Sequence, residues 1–146
     1  MRKTLQACKV IPASAETLFE CLADYAQAEV FIEGLEELSP VGSQTTGEGA
    51  QFDAVLRVGP RSLRSTIVIE SLEPLRAVTW SSTGDNGQRL AFELQPAPGA
   101  TTVSLTVSYE EPGGLAGALI APFVERTVQN RATNALDRLS QHVSRN

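Results

Sequence analysis

From residue 35 onward apolar positions recur at every second residue, which is the period of β-strands with one buried face. In "AQFDAVLRV", Phe52, Ala54, Leu56 and Val58 share one side, and Gln51, Asp53 and Arg57 share the other. "SLRSTIVIESL" groups Leu63, Ile67 and Ile69, and "QRLAFELQP" groups Leu90, Phe92 and Leu94. "TTVSLTVSYEE" sets Val103, Leu105, Val107 and Tyr109 against Thr102, Ser104, Thr106 and Ser108. "LEELSPVGS" and "AVTWSST" complete a set of six strands. In the second of these, Val78 and Trp80 oppose Ala77, Thr79 and Ser81, and the pattern leaves open which set faces inward. "TTGEGA", "GPR", "EPLR", "GDNG" and "APGA" read as tight turns, so neighbouring strands are antiparallel.

Before residue 35 the pattern differs. "KTLQACKVI" reads as a first strand ended by Pro12. "SAETLFECLAD" follows, with Ser14 as N-cap, Glu16 in the first turn, and Leu18, Phe19 and Leu22 on one helical face. "YAQAEVFIE" reads as a second short helix or turn that Gly34 closes. A long helix is predicted over roughly residues 122 to 143. Its stripe is Val124, Val128, Ala132, Ala135, Leu136, Leu139 and Val143. Glu125, Arg126, Arg131, Asp137 and Arg138 are assigned to the opposite, polar face. The expected fold class is α+β, a single domain over residues 1–146. A seven-stranded curved antiparallel sheet wraps a long C-terminal helix, with two short helices between strands 1 and 2. One helix about 10 to 12 Å wide does not fill such a concave face, so a hollow is expected beneath it.

Composition removes several classes of function. A net charge of −5, with lysines and arginines scattered, offers no basic footprint for nucleic acid. Two cysteines, Cys8 and Cys21, with one histidine do not make a zinc site of the usual kind, and neither metal nor cofactor is expected. The thiols read as small buried hydrophobes in a reducing cytosol, and a bond between them stays open. "LQAC" and "ASA" mimic processing sites, but Gln6 and Lys9 interrupt the only apolar run beside them, so export is rejected and a cytoplasmic location is expected. No apolar segment reaches the roughly 18 residues of a membrane span.

Several stretches carry a family resemblance. "VIPASAETLFECLAD", "ESLEPLRAVTW", "AFELQPAPGATTVSLTVSYE" and "PGGLAGALIAPFVERTVQNRATNALDRL", in this order and spacing, resemble the START-like superfamily, also called SRPBCC or the helix-grip fold. The chain is most similar to its bacterial stand-alone members of polyketide cyclase/dehydrase type. The resemblance implies a cavity for a hydrophobic small molecule or lipid and carries across no catalytic residue, because one fold hosts many functions.

The expected cavity lining is drawn from the inward-facing positions of the strands and the faces of the helices. The helical candidates are Tyr25, Phe31, Leu119, Phe123 and Val128. The strand candidates are Phe52, Leu56, Ser65, Ile67, Trp80, Phe92, Leu105, Val107 and Tyr109. By strand parity Asp53, Arg57, Arg64, Glu70, Arg89 and Glu93 lie on the outer, solvated face. His142, the lone histidine, is assigned to the polar side of the last helix. Tyr109, at the end of its strand, is the candidate catalytic group, a phenol able to donate to a ligand oxygen, with Ser65 beside it; a core tyrosine is the alternative.

Three functions follow from these expectations. The first is a binding or carrier protein for a hydrophobic lipid, polyketide or aromatic molecule, monomeric or homodimeric, with no membrane insertion. The second is a polyketide cyclase, aromatase or dehydratase. The third is an interaction or stress-related module without a reaction. "GGLAGALIAPFV" at residues 113 to 124 reads as a short helical turn, a break at Pro122, and then the long helix. Its Leu119, Ile120 and Phe123 either pack on the sheet or form an apolar lip at the cavity mouth.

Overall fold

The computed structural model describes residues 2–58, 60–83, 87–110 and 114–144. Seven antiparallel strands form one sheet in the order β1-β7-β6-β5-β4-β3-β2. They are β1 (Arg2–Ile11), β2 (Leu35–Val41), β3 (Gln51–Val58), β4 (Arg61–Glu73), β5 (Ala77–Thr83), β6 (Arg89–Ala97) and β7 (Ala100–Glu110). Between β1 and β2 run α1 (Ala15–Ala23), a 3-10 turn (Tyr25–Gln27) and α2 (Ala28–Phe31). The chain closes with α3 (Gly114–Ser144). This is the helix-grip α+β architecture that the periodicity predicts.

Local chemistry explains the entry to each short helix. The Ser14 hydroxyl accepts from the Thr17 N–H at 3.2 Å and caps α1. Asp24 accepts from the Ala26 N–H at 3.0 Å and caps the 3-10 turn. Gly34 then turns the chain into β2 with φ +82°. Its carbonyl accepts from the Arg57 N–H at 2.7 Å, and a Cβ there would stand 2.6 Å from the Arg57 carbonyl oxygen. Gly34→Ala is therefore expected to cost at least about 2 kcal/mol, since it adds a backbone clash to left-handed strain. Gly99→Ala, at φ +75° with open space around it, is expected to cost only about 1 kcal/mol. Urea unfolding of the two variants checks the difference.

The strand faces divide as the alternation predicts. Phe52, Ala54, Ile67, Ile69, Val78, Trp80, Phe92, Leu94 and the four apolar residues of β7 from Val103 to Tyr109 are buried. Trp80 therefore faces inward. On the outer face Arg89 bridges across β5 to Glu70 at 2.8 Å. Leu63 departs from the expectation. It shares the inner parity of Ile67 but lies near the turn that closes the β3–β4 hairpin and is 49% exposed.

The last helix is also corrected. It runs without interruption from Gly114 through Pro122. The break at Pro122 does not occur, because this turn is exposed and water can take the carbonyl that proline's missing N–H leaves over. Nor do Leu119, Ile120 and Phe123 pack on the sheet; they stand 77%, 48% and 66% exposed. The chain release assigned to Pro112 and Gly113, and most of the "GDNG" turn, lie outside the described residues.

Polar contacts on both flanks hold α3 over the sheet. On one side Lys3 pairs with Glu125 at 3.5 Å, Lys9 pairs with Asp137 at 3.0 Å, and Gln129 donates to the Gln6 carbonyl at 3.3 Å. On the other side Arg138 donates to the Glu29 carbonyl at 2.6 Å and His142 meets Gln27 at 3.0 Å. His142 is thus half-buried against the 3-10 turn instead of lying on a free polar face. Such exposed pairs contribute little energy each, but they fix where the helix sits. Among the described residues, no helix is long and apolar enough to cross a membrane.

Candidate functional site

A cavity of about 420 Å³ lies between α3 and the sheet. The sheet supplies Leu56 from β3, Leu90 from β6, and Leu105 and Val107 from β7. Phe31, Ile32 and Glu33 close one side at the end of α2. The roof is α3, through Ile120, Phe123, Val124, Thr127, Val128, Arg131, Ala132 and Ala135. Gln88, just before β6, completes the wall. Most of this surface is aliphatic or aromatic, and the size lies in the range of small-molecule sites.

The structure brings six of the fourteen expected lining residues to this cavity: Phe31, Leu56, Leu105, Val107, Phe123 and Val128. The others lie elsewhere. Phe52, Trp80 and Phe92 are fully packed, and Ile67 is buried on β4. Tyr25 stacks on Phe52 with centroids 5.0 Å apart, and it borders a separate pocket of about 190 Å³. Phe52 meets Trp80 at 5.8 Å, Trp80 meets Phe31 at 6.1 Å, and Phe31 meets Phe92 edge-on at 5.4 Å. Trp80 Nε1–H also donates to the Leu22 carbonyl at 2.9 Å, in the last turn of α1. The aromatic cluster of Tyr25, Phe52, Trp80, Phe31 and Phe92 thus fills the part of the concave face that α1 and α2 cover, and of these five Phe31 also lines the cavity. Periodicity assigns residues to the inner face but does not say which region of that face a second helix occupies.

Tyr109 is 3% exposed and is not among the residues lining the cavity, so its phenol is not placed to meet a ligand there. Ser65 is half-buried opposite Ala54 on the β3–β4 ladder, also away from the lining. Leu119 projects into solvent, whereas Ile120 and Phe123 are both exposed and cavity-lining. The apolar lip therefore consists of Ile120 and Phe123.

Sequence reasoning missed the ionisable groups at the cavity. These are Glu33 and Arg131, which form an ion pair with Arg131 Nε 3.2 Å from Glu33 Oε2. Asn134 Nδ2 donates to Glu33 Oε1 at 3.3 Å. Both partners of the ion pair are about one-third exposed, so the pair borders solvent as well as the cavity. A signal was available, because Arg131 lies three residues after Val128 and four before Ala135, on the stripe itself. Treating every charge as outward-facing hid it.

Cysteine chemistry lies away from the cavity. Burial, reinforced by the charge of Asp24, pushes the Cys21 thiol up from 9.0 to about 11. Cys8 is exposed on β1, its sulfur 3.7 Å from the Ser104 hydroxyl, and so departs from the expected buried thiol. Both cysteines are free. Among the described residues no cluster of histidine, cysteine, aspartate or glutamate is arranged to hold a metal ion.

Comparison with known proteins extends this picture. A family model described as polyketide cyclase / dehydrase and lipid transport matches residues 2–144. No curated protein matches the chain significantly. Among solved structures, a protein from Thermus thermophilus is 21% identical with a TM-score of 0.80, over 97% of both chains. The Zhui aromatase/cyclase from Streptomyces sp. R1128 is 14% identical with a TM-score of 0.81, over 99% of this chain and 95% of that one. The protein Ara h 8.0201 is 12% identical with a TM-score of 0.72, over the whole of both chains. At these identities the likeness concerns the fold.

Proposed function

This chain belongs to the polyketide cyclase / dehydrase and lipid transport family, whose members are hydrophobic-ligand-binding or cyclase-type modules, and from that premise we propose that it binds and carries a hydrophobic small molecule between α3 and the sheet. The observation that carries the reading is the apolar cavity of about 420 Å³ with an exposed apolar lip. A pocket of this size, with few polar groups, takes its binding energy from apolar burial and its orientation from those few groups. Ile120 and Phe123, apolar and open to solvent, suit the entrance through which a water-insoluble molecule passes.

A cyclase-type reaction is the second reading, and the Glu33–Arg131 pair favours it. A guanidinium beside an apolar chamber can polarise a carbonyl, and shape can hold a chain in a productive bend. Carriage leads because the two ionisable groups lining the cavity neutralise each other's charge.

Native mass spectrometry of protein purified from its own cells, followed by a thermal-shift panel of polyketide-like, aromatic and acyl-chain compounds, tests the proposal. A co-purifying apolar molecule, or a compound that raises Tm in a concentration-dependent way, supports it. Absence of both across the panel refutes it.

A further inference from the structure

We infer that Glu33 and Arg131 act as a charge filter, which accepts molecules whose polar end is an uncharged hydrogen-bond acceptor and turns away carboxylates. This rests on the cavity being the ligand site and goes further by naming the polar chemistry it selects.

Three observations support the filter. Arg131 and Glu33 both line the cavity, one from α3 and the other from the turn after α2. The nearest approach of Arg131 to Glu33 is at Nε, 3.2 Å from Oε2, and among the described residues no hydrogen bond engages its Nη donors. Glu33 is held in place: Asn134 occupies its second oxygen, and the next residue, Gly34, is tied by its carbonyl to the Arg57 N–H at 2.7 Å.

The chemistry follows from charge balance. A bare arginine in an apolar chamber attracts carboxylates, since the guanidinium fork matches them. Here the positive charge is already neutralised at 3.2 Å. A second carboxylate at the Nη edge gains little net attraction, sits near the charge of Glu33, and still loses its hydration. A carbonyl oxygen adds no charge and takes the unused Nη donors as they stand. Thr127, one turn before Arg131 on α3, also lines the cavity and brings a hydroxyl to its wall. Glu33 is therefore the specificity-determining residue, and Arg131 is the group that contacts the ligand.

The test uses 2-acetylnaphthalene and 2-naphthoate, which share a ring system and differ in the charge of the polar end. Binding to the full chain is measured by fluorescence titration. The wild type is expected to bind the ketone at least about tenfold more tightly than the acid. A plain apolar pocket also prefers the ketone, so the decisive measurement is the ratio in Glu33→Gln, with Glu33→Ala as a second removal of the same carboxylate. Removal is expected to raise relative affinity for the acid at least about tenfold, because Arg131 becomes an unneutralised anion site. A ratio unchanged in both variants overturns the filter. Val128→Trp separates the two levels: if it abolishes binding while the ratio ignores Glu33, the cavity reading stands and the filter falls. If probe binding is insensitive to Val128→Trp, the cavity reading falls and the filter with it.

Discussion

Trp80→Ala is expected to lower the free energy of unfolding by about 3–5 kcal/mol, the largest stability effect foreseen for a single side chain here. The ring is 2% exposed and lies between Phe52 and Phe31. Its removal leaves a void under α1 and α2 that these two rings cannot both close. The indole also donates to the Leu22 carbonyl at 2.9 Å, a group in the last turn of α1, where carbonyls lack intrahelical partners. Trp80→Phe separates the two contributions. It retains most of the ring volume but leaves that carbonyl without its donor, and is expected to cost about 1–3 kcal/mol. Chemical denaturation followed by circular dichroism measures both. A loss under about 1 kcal/mol for the alanine variant would show that Trp80 does not anchor the two short helices to the sheet.

Val128→Trp is expected to have the largest effect on binding, at least a tenfold loss of affinity for any molecule that occupies the cavity, with stability changed by less than about 1 kcal/mol. Val128 is half-buried and lines the cavity from α3. A bulky ring there has open space to enter, so the overpacking cost of a filled core does not arise. Valine and tryptophan also have similar helix propensities. Loss of ligand with an unchanged melting curve would assign the cavity its role. Retained binding would move the site away from the space beneath α3.

The two variants probe different parts of one concave face. Period-two alternation marks Phe52, Phe92, Leu105 and Val107 alike as inward, and the structure agrees on the direction. It then separates them: Phe52 and Phe92 pack into an aromatic cluster, and Leu105 and Val107 face the cavity. Alternation is a local property of one strand, whereas this division depends on where α1 and α2 lie across the sheet. Arg131 shows the same limit on the helix. Its spacing places it on the apolar stripe, but only the approach of Glu33 from a segment about a hundred residues earlier shows what a charge does there. The expected break at Pro122 failed for a related reason. A rule about interior helical proline does not know that the turn is exposed, where the lost hydrogen bond can be replaced by water.

The chain by itself determined the strands, the capped short helix after Pro12, the order of elements and the curved sheet that grips a C-terminal helix. Those features follow from spacing, capping residues and turn chemistry, all of which act over a few residues. Only the tertiary structure decided which part of the inner face stays hollow. It also decided that Tyr109 and Trp80 stand outside the cavity, that Ile120 and Phe123 form the lip, and that a neutralised arginine faces the space. Each of these depends on segments far apart in the chain meeting across the sheet, and no local pattern encodes that distance.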